Sequence, residues 1–188
     1  DLTLTPYERG VEYVDRHVGH LLAELGRQDR LRGMVIAVAA DHGEDLGRRL
    51  REGHGAYLFD DATRVPLLIW GAACAPQVLP EPVSTLRLGG TLGALAGVSV
   101  PGHDLLPGGT DPPLPVVVEE ASVDTLGFKR AVILGSHKLI VDERNGGRML
   151  FDLADDPGEN RDVYDARPTL ARELEASYQA WLDHPASR

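Results

Sequence analysis

Two adjacent side chains carry the clearest chemistry in this 188-residue chain: the carboxylate of Asp41 and the imidazole of His42. They follow the unbroken apolar run Met34-Val35-Ile36-Ala37-Val38-Ala39-Ala40, and Gly43 and Glu44 come next. A hard oxygen and an imidazole nitrogen held this close can be offered to one cation. Gly43 allows the backbone to turn sharply beside them. The plainer reading of the same residues is a strand ending in a polar turn. Another imidazole, His54, stands between Gly53 and Gly55.

These groups are only as useful as the elements that position them. A short continuous apolar run bounded by turn residues predicts a strand buried on both faces, as in a parallel sheet. Polar groups at its carboxyl end then lie in the crevice where open α/β sheets bind ligands. Upstream, Thr5-Pro6-Tyr7-Glu8 forms a capping box with proline at the first helical position. Val11, Val14, Val18, Leu21, Leu22 and Leu25 follow mostly at spacings of three and four. That pattern predicts an amphipathic helix ending at Gly26. Asp15, His17 and His20 on this helix read as solvated residues. Residues 44–64 are rich in charge and glycine and read as irregular structure over the strand ends. Val65-Pro66-Leu67-Leu68-Ile69-Trp70 predicts a second buried strand, with the proline at its start.

The pattern changes after a turn-rich connector. Pro101, Gly102, Pro107, Gly108, Gly109, Pro112, Pro113 and Pro115 mark a boundary between two layers. Residues 1–112 are therefore expected to form one domain and residues 113–188 another. In the second, short β-rich runs at 116–119, 130–134, 138–141 and 148–151 are separated by turn residues and predict antiparallel hairpins. Asn145-Gly146 is the strongest of these turn signals. A closing helix is predicted from Pro168, with Leu170, Leu174, Tyr178, Trp181 and Leu182 on one stripe.

Composition excludes some partners. A formal charge of −10 argues against nucleic-acid backbones and anionic membranes. It does not argue against an anionic substrate, because a bound cation inverts the local field. Cys74 is the single cysteine, so no internal disulfide forms. No apolar run approaches the ~18 residues of a membrane span. The chain begins with Asp1 rather than Met, which leaves room for a preceding segment.

Several blocks recur in a telling order: Asp41-His42-Gly43-Glu44-Asp45-Leu46-Gly47, then Gly53-His54-Gly55, Leu58-Phe59-Asp60-Asp61 and Arg64-Val65-Pro66-Leu67-Leu68-Ile69. This series resembles the sulfatase family of the alkaline phosphatase superfamily, whose second half carries a DHGE-x-LG…HG…L-[YF]-[DE]-[DE]…RVPL-[IL]-I pattern. Residues 83–98 resemble that family's VS-x-x-D-x-x-PTLL-x-LAGV helix, with Arg87 in place of the usual Asp and Gly90 in place of the usual Pro. Lys138-Leu139-Ile140, followed by Leu150-Phe151-Asp152-Leu153 and Asp155-Asp156-Pro157-Gly158-Glu159-Asn160, resembles its LYDL-x-x-DP-x-E-x-x-N block. The resemblance runs from about Tyr7 to Trp181 and covers only the later half of the family's fold.

The resemblance implies an α/β protein: the C-terminal part of an alkaline phosphatase-like α/β/α core, followed by a small antiparallel β subdomain with a C-terminal helix. It implies that the complete protein cleaves sulfate esters, small-molecule or glycan, with a divalent cation, Ca²⁺ being the expected ion. Asp41 and His42 match the metal ligands of the family's second half. His54 lies where the family places a basic residue near the substrate anion or leaving group. There it could donate a hydrogen bond or a proton to the departing oxygen; otherwise it is a loop histidine in a glycine turn. Glu44 reads either as a partner that orients His42 or as an acid at a helix start. Arg64 is expected to anchor an ion pair with Asp60 or Asp61. The acidic residues of 155–159 are expected to cap turns and face water. Cys74-Ala75-Pro76 continues as Gln77-Val78-Leu79, so it lacks the Ser and Arg of the family's C-x-P-S-x-R nucleophile motif and reads as a loop. The family's first-strand aspartates are also absent. This chain alone is therefore expected to bind metal poorly and not to turn over, its natural partner being the missing N-terminal half of the fold. Two alternatives stand beside this expectation. One is a phosphodiesterase, phosphonate hydrolase or phosphoglycerol transferase of the same superfamily. The other is a non-catalytic remnant or binding module.

Overall fold

The computed structural model describes residues 4–48, 53, 57–71, 74–106, 114–122 and 127–183. The chain divides into two compact units, one of residues 1–37 and 69–75 and one of residues 38–68 and 76–188.

The first unit begins with helix α1, Pro6–Arg27. Its start follows from the capping box. The Thr5 hydroxyl accepts from the Glu8 amide at 3.2 Å, and the Glu8 carboxylate accepts from the Thr5 amide at 2.7 Å. The helix runs past Gly26, and Gln28 is the C-cap. No residue of α1 is buried, and Val11, Val14 and Leu21 are each more than half exposed. Strands β1 (Val35–Ala39) and β2 (Leu67–Gly71), of which Val38–Ala39 and Leu67–Leu68 belong to the second unit, form a two-stranded sheet. Gly71 permits a close approach: a Cβ there would lie 3.1 Å from the Met34 carbonyl oxygen. Both strands were expected to be buried on both faces. They are not: Leu68 is 60 % and Trp70 56 % exposed. The apolar runs specify extended chain, but two strands do not cover each other's faces.

The second unit holds the larger core. Helix α2 is a single turn, Asp60–Thr63, and α3 spans Arg87–Leu95. Gly90, where the family pattern has proline, lies against the chain at His103; a Cβ there would come 2.6 Å from that carbonyl oxygen. Thr91 reinforces the contact, its hydroxyl accepting from the Leu105 amide at 3.0 Å.

Four antiparallel strands follow in sequential order: β3 (Val116–Ser122), β4 (Gly127–Leu134), β5 (His137–Asp142) and β6 (Gly147–Asp152). Val117 pairs with Val132, Val132 with Leu139 and Leu139 with Leu150. Gly135 and Gly146 take φ of +58° and +71° in the two tight connections, a conformation open to glycine. The alternation of side chains across a strand then builds two cores. Leu139, Val141 and Leu150 pack with Ala171 and Leu174 of helix α4, Pro168–Leu182. Ala131, Ile140 and Phe151 pack on the opposite face with Leu58 and Phe59, the residues that lead into α2.

Buried polar contacts fix α4 to the sheet. Arg130, 4 % exposed, donates twice to Glu175 at 3.0 and 2.6 Å and once to Glu143 at 2.8 Å. Its guanidinium lies over the Tyr178 ring, 4.2 Å from the centroid. Tyr178 in turn donates to Glu119 at 2.8 Å.

Candidate functional site

β1 ends at Ala39, and the chain turns at once through Asp41, His42 and Gly43. Asp41 accepts the His42 amide at 3.0 Å through Oδ1, which holds the two side chains on one turn. His42 Nδ1 is 2.8 Å from the Gly43 carbonyl oxygen. A carbonyl only accepts, so Nδ1 carries the proton in that bond. This is the arrangement metal-ligating histidines adopt, with the second nitrogen held by a carbonyl. Nε2 stands 3.9 Å from Asp41 Oδ1. Two donors can share one ion when they are closer than twice a metal–ligand bond, roughly 4–5 Å. The pair meets that condition. Among the described residues, no group of three or more His, Cys, Asp or Glu could hold a metal ion. Asp41 and His42 thus fit two positions of a coordination shell and leave the others to be filled.

The turn is braced from behind by α2. The Gly43 amide donates to the Ala62 carbonyl at 2.8 Å. Any side chain at position 43 would collide with the Asp61 carbonyl oxygen. The glycine is therefore required by close approach of two backbones, which a motif alone does not reveal. No helix begins at Glu44, so the reading of that residue as a helix-start acid is wrong; the segment instead makes an isolated bridge between Asp45 and Gly53.

Asp41, His42 and Arg64 open onto a hollow of about 1030 Å³, walled also by Tyr57, Ser84 and Trp181. The ion pairs expected of Arg64 are made by other residues. Asp60 pairs with Lys138 at 2.8 Å, and Asp61 with Arg48 at 3.2 Å. Arg64 is exposed and lines the hollow. His54 lies outside the described residues. Cys74 is a free thiol in a segment without regular structure.

Two charged residues of the site's surroundings escaped sequence reasoning. Lys138, directly before the apolar run Leu139-Ile140-Val141 of β5, is fully buried, and Glu159, expected to face water, is 2 % exposed. A lysine at a core register of β5 was the available signal; its carboxylate partners were not, because they come from distant turns.

A family model described as Sulfatase matches residues 3–98. Choline-sulfatase of Rhizobium meliloti (strain 1021) is 32 % identical over 166 residues, covering 81 % of this chain and 31 % of that protein. The structure of BT4656 in complex with its substrate D-glucosamine-2-N,6-O-disulfate superposes with a TM-score of 0.75 at 19 % identity, covering 95 % of this chain and 40 % of that one. Phosphonate monoester hydrolase from Silicibacter pomeroyi has a TM-score of 0.73 at 24 % identity, with 91 % and 38 % covered. The chain thus spans about a third of the length of the curated relative. The two solved structures share the fold, and the family model together with the choline-sulfatase likeness settles the family: the chain belongs to the sulfatases of the alkaline phosphatase superfamily.

Proposed function

We propose that this polypeptide carries the second-half share of the active site of a sulfuric ester hydrolase. Asp41 and His42 would ligate a divalent cation, Ca²⁺ by preference, and the remaining ligands and the nucleophile would come from the rest of the complete protein. The observation that carries this reading is the His42 ring itself: its Nδ1 is engaged by the Gly43 carbonyl, and its Nε2 faces the same space as Asp41 Oδ1, 3.9 Å away. A bound divalent cation polarises the sulfuryl group and withdraws charge from it. Asp41 supplies the negative charge that retains the cation, and Nε2 of His42 supplies a directional neutral donor. Arg64 adds a positive charge to the wall of the hollow, where an anionic ester would enter. His54 would donate to the departing oxygen. The substrate would be a sulfate ester of a small alcohol or a glycan, the chemistry named for choline-sulfatase and for the disulfated glucosamine bound by BT4656. Alone, with no C-x-P-S-x-R segment in its sequence, the chain would not turn over.

Paramagnetic Mn²⁺ tests the pair directly. Titrated into the labelled chain, it should broaden the His42 ring resonances weakly and reversibly, Ca²⁺ should relieve the broadening, and Asp41→Asn should weaken the effect about tenfold. Sharp His42 signals throughout the titration would remove the metal role.

The shared fold of a phosphonate monoester hydrolase supports a second reading, in which the complete protein acts on a phosphoryl or phosphonyl ester. The nucleophile of the complete protein separates the two: C-x-P-S-x-R for sulfate, Ser or Thr for the other.

A further inference from the structure

A lysine with no exposure is the least expected residue of the second unit. Lys138 Nζ stands 2.8 Å from Asp60 Oδ1, 2.9 Å from Glu159 Oε1 and 3.2 Å from the Thr63 hydroxyl. Glu159 accepts the Asp60 amide at 2.6 Å through Oε2. It holds a φ of +51°, a left-handed conformation that side chains other than glycine rarely take. Burying an ammonium group is costly unless it is paired and hydrogen-bonded; here Lys138 Nζ hydrogen-bonds Asp60 and Thr63 and forms an ion pair with Glu159. Every partner is either on α2 or reaches for it.

α2 needs this help. It is four residues long, buries none of them fully and has no side-chain cap of its own at Phe59. So short a helix has no independent stability. Leu58 and Phe59 seat the preceding residues in the core, while Lys138 and Glu159 grip the turn itself at its amide, its first carboxylate and its last hydroxyl. The far side of that turn presents the Ala62 carbonyl to the Gly43 amide at 2.8 Å. Asp41 and His42 are the two residues before Gly43.

We propose that Lys138 and Glu159 are positioning residues for the Asp41–His42 pair. The small antiparallel sheet then sets the geometry of the cation ligands through one relay: β5 lysine, α2, Gly43, His42. Neither residue touches the reacting atoms. The inference rests on the reading of Asp41 and His42 as ligands, and it adds that their placement is decided about a hundred residues downstream.

The test uses the full chain, isotopically labelled, with every variant at the same pH. Gly43 amide exchange and the His42 ring-nitrogen shifts are measured for Lys138→Met, for the isosteric Glu159→Gln and for Glu175→Gln. The last weakens the Arg130 pair elsewhere in the same unit and serves as a control for general loss of stability. At matched distance from each variant's unfolding midpoint, Lys138→Met and Glu159→Gln should speed Gly43 exchange about tenfold or more over the control. They should also erode the preference for the proton on Nδ1, while β4–β6 amides keep their protection. If Lys138→Met does not fold, Glu159→Gln carries the same comparison. Unchanged Gly43 exchange and unchanged ring shifts, with faster exchange confined to α2, would overturn the relay. The Mn²⁺ titration separates the two readings. A wild-type His42 that ignores Mn²⁺ removes the metal role, yet Gly43 exchange still reports whether Lys138 governs the turn.

Discussion

A methyl group at position 43 has nowhere to go, because the Asp61 carbonyl oxygen already occupies that space. Gly43→Ala must therefore part the turn from α2, breaking the Gly43–Ala62 hydrogen bond on the way. Forced overpacking of this kind costs about 1–3 kcal/mol. Chemical denaturation should show a loss in that range, with the His42 ring shifts moving as well; a stable variant with native shifts would mean that the contact gives way freely. At this scale the sequence was informative where chemistry is contiguous. Asp41 and His42 announce themselves by adjacency at the end of an apolar run. Lys138 and Glu159 do not, since their meaning lies in each other and in Asp60, and charge pairing across distant turns leaves no local pattern. Arg64 misled for a related reason: Asp60 and Asp61 are its neighbours in sequence but answer to Lys138 and Arg48 in space.

Among the elements, the closing helix makes the sharpest prediction. Burial, the hydrogen bond to Glu119 and that residue's negative charge push the Tyr178 hydroxyl up to about 12. An unfolded tyrosine ionises near 10. Its folded value is raised, so its stabilising contribution is complete below about 10 and is lost as pH climbs toward 12. The unfolding midpoint should fall across that alkaline window, and Tyr178→Phe should flatten the fall; an identical slope in the variant would assign the loss to other groups. The helix and the four strands were legible because proline starts, Asn-Gly turns and two-residue alternation are local rules. α2 was not legible: one turn without a cap has no periodicity to read, and long-range partners make it. The helix within 83–98 spans Arg87–Leu95, and its N-cap residue, Leu86, makes no side-chain cap hydrogen bond.

For the whole molecule, apolar surface is the telling quantity. Val14, Leu21, Leu68 and Trp70 are each more than half exposed, although their spacing is that of core positions. Binary patterning was correctly read as helix and strand; burial was not, since it depends on what packs against a face rather than on the face itself. Motif order identified the family over a span that is about a third of the curated relative. We therefore expect no sulfate release above background when this polypeptide alone is incubated with an aryl sulfate and Ca²⁺. Sustained turnover would show that the chain holds a nucleophile and further ligands that its motifs do not disclose.

The anchoring of α2 by a lysine from β5 has a practical side. Anyone wishing to transplant the Asp-His turn onto another scaffold would naturally excise residues 40–64, which contain both donors and the glycine. That cassette would arrive without Lys138 and Glu159, leaving Asp60 uncompensated and the short helix adrift. A working graft would have to import the hairpin and its following turn too, making the smallest portable unit a discontinuous one.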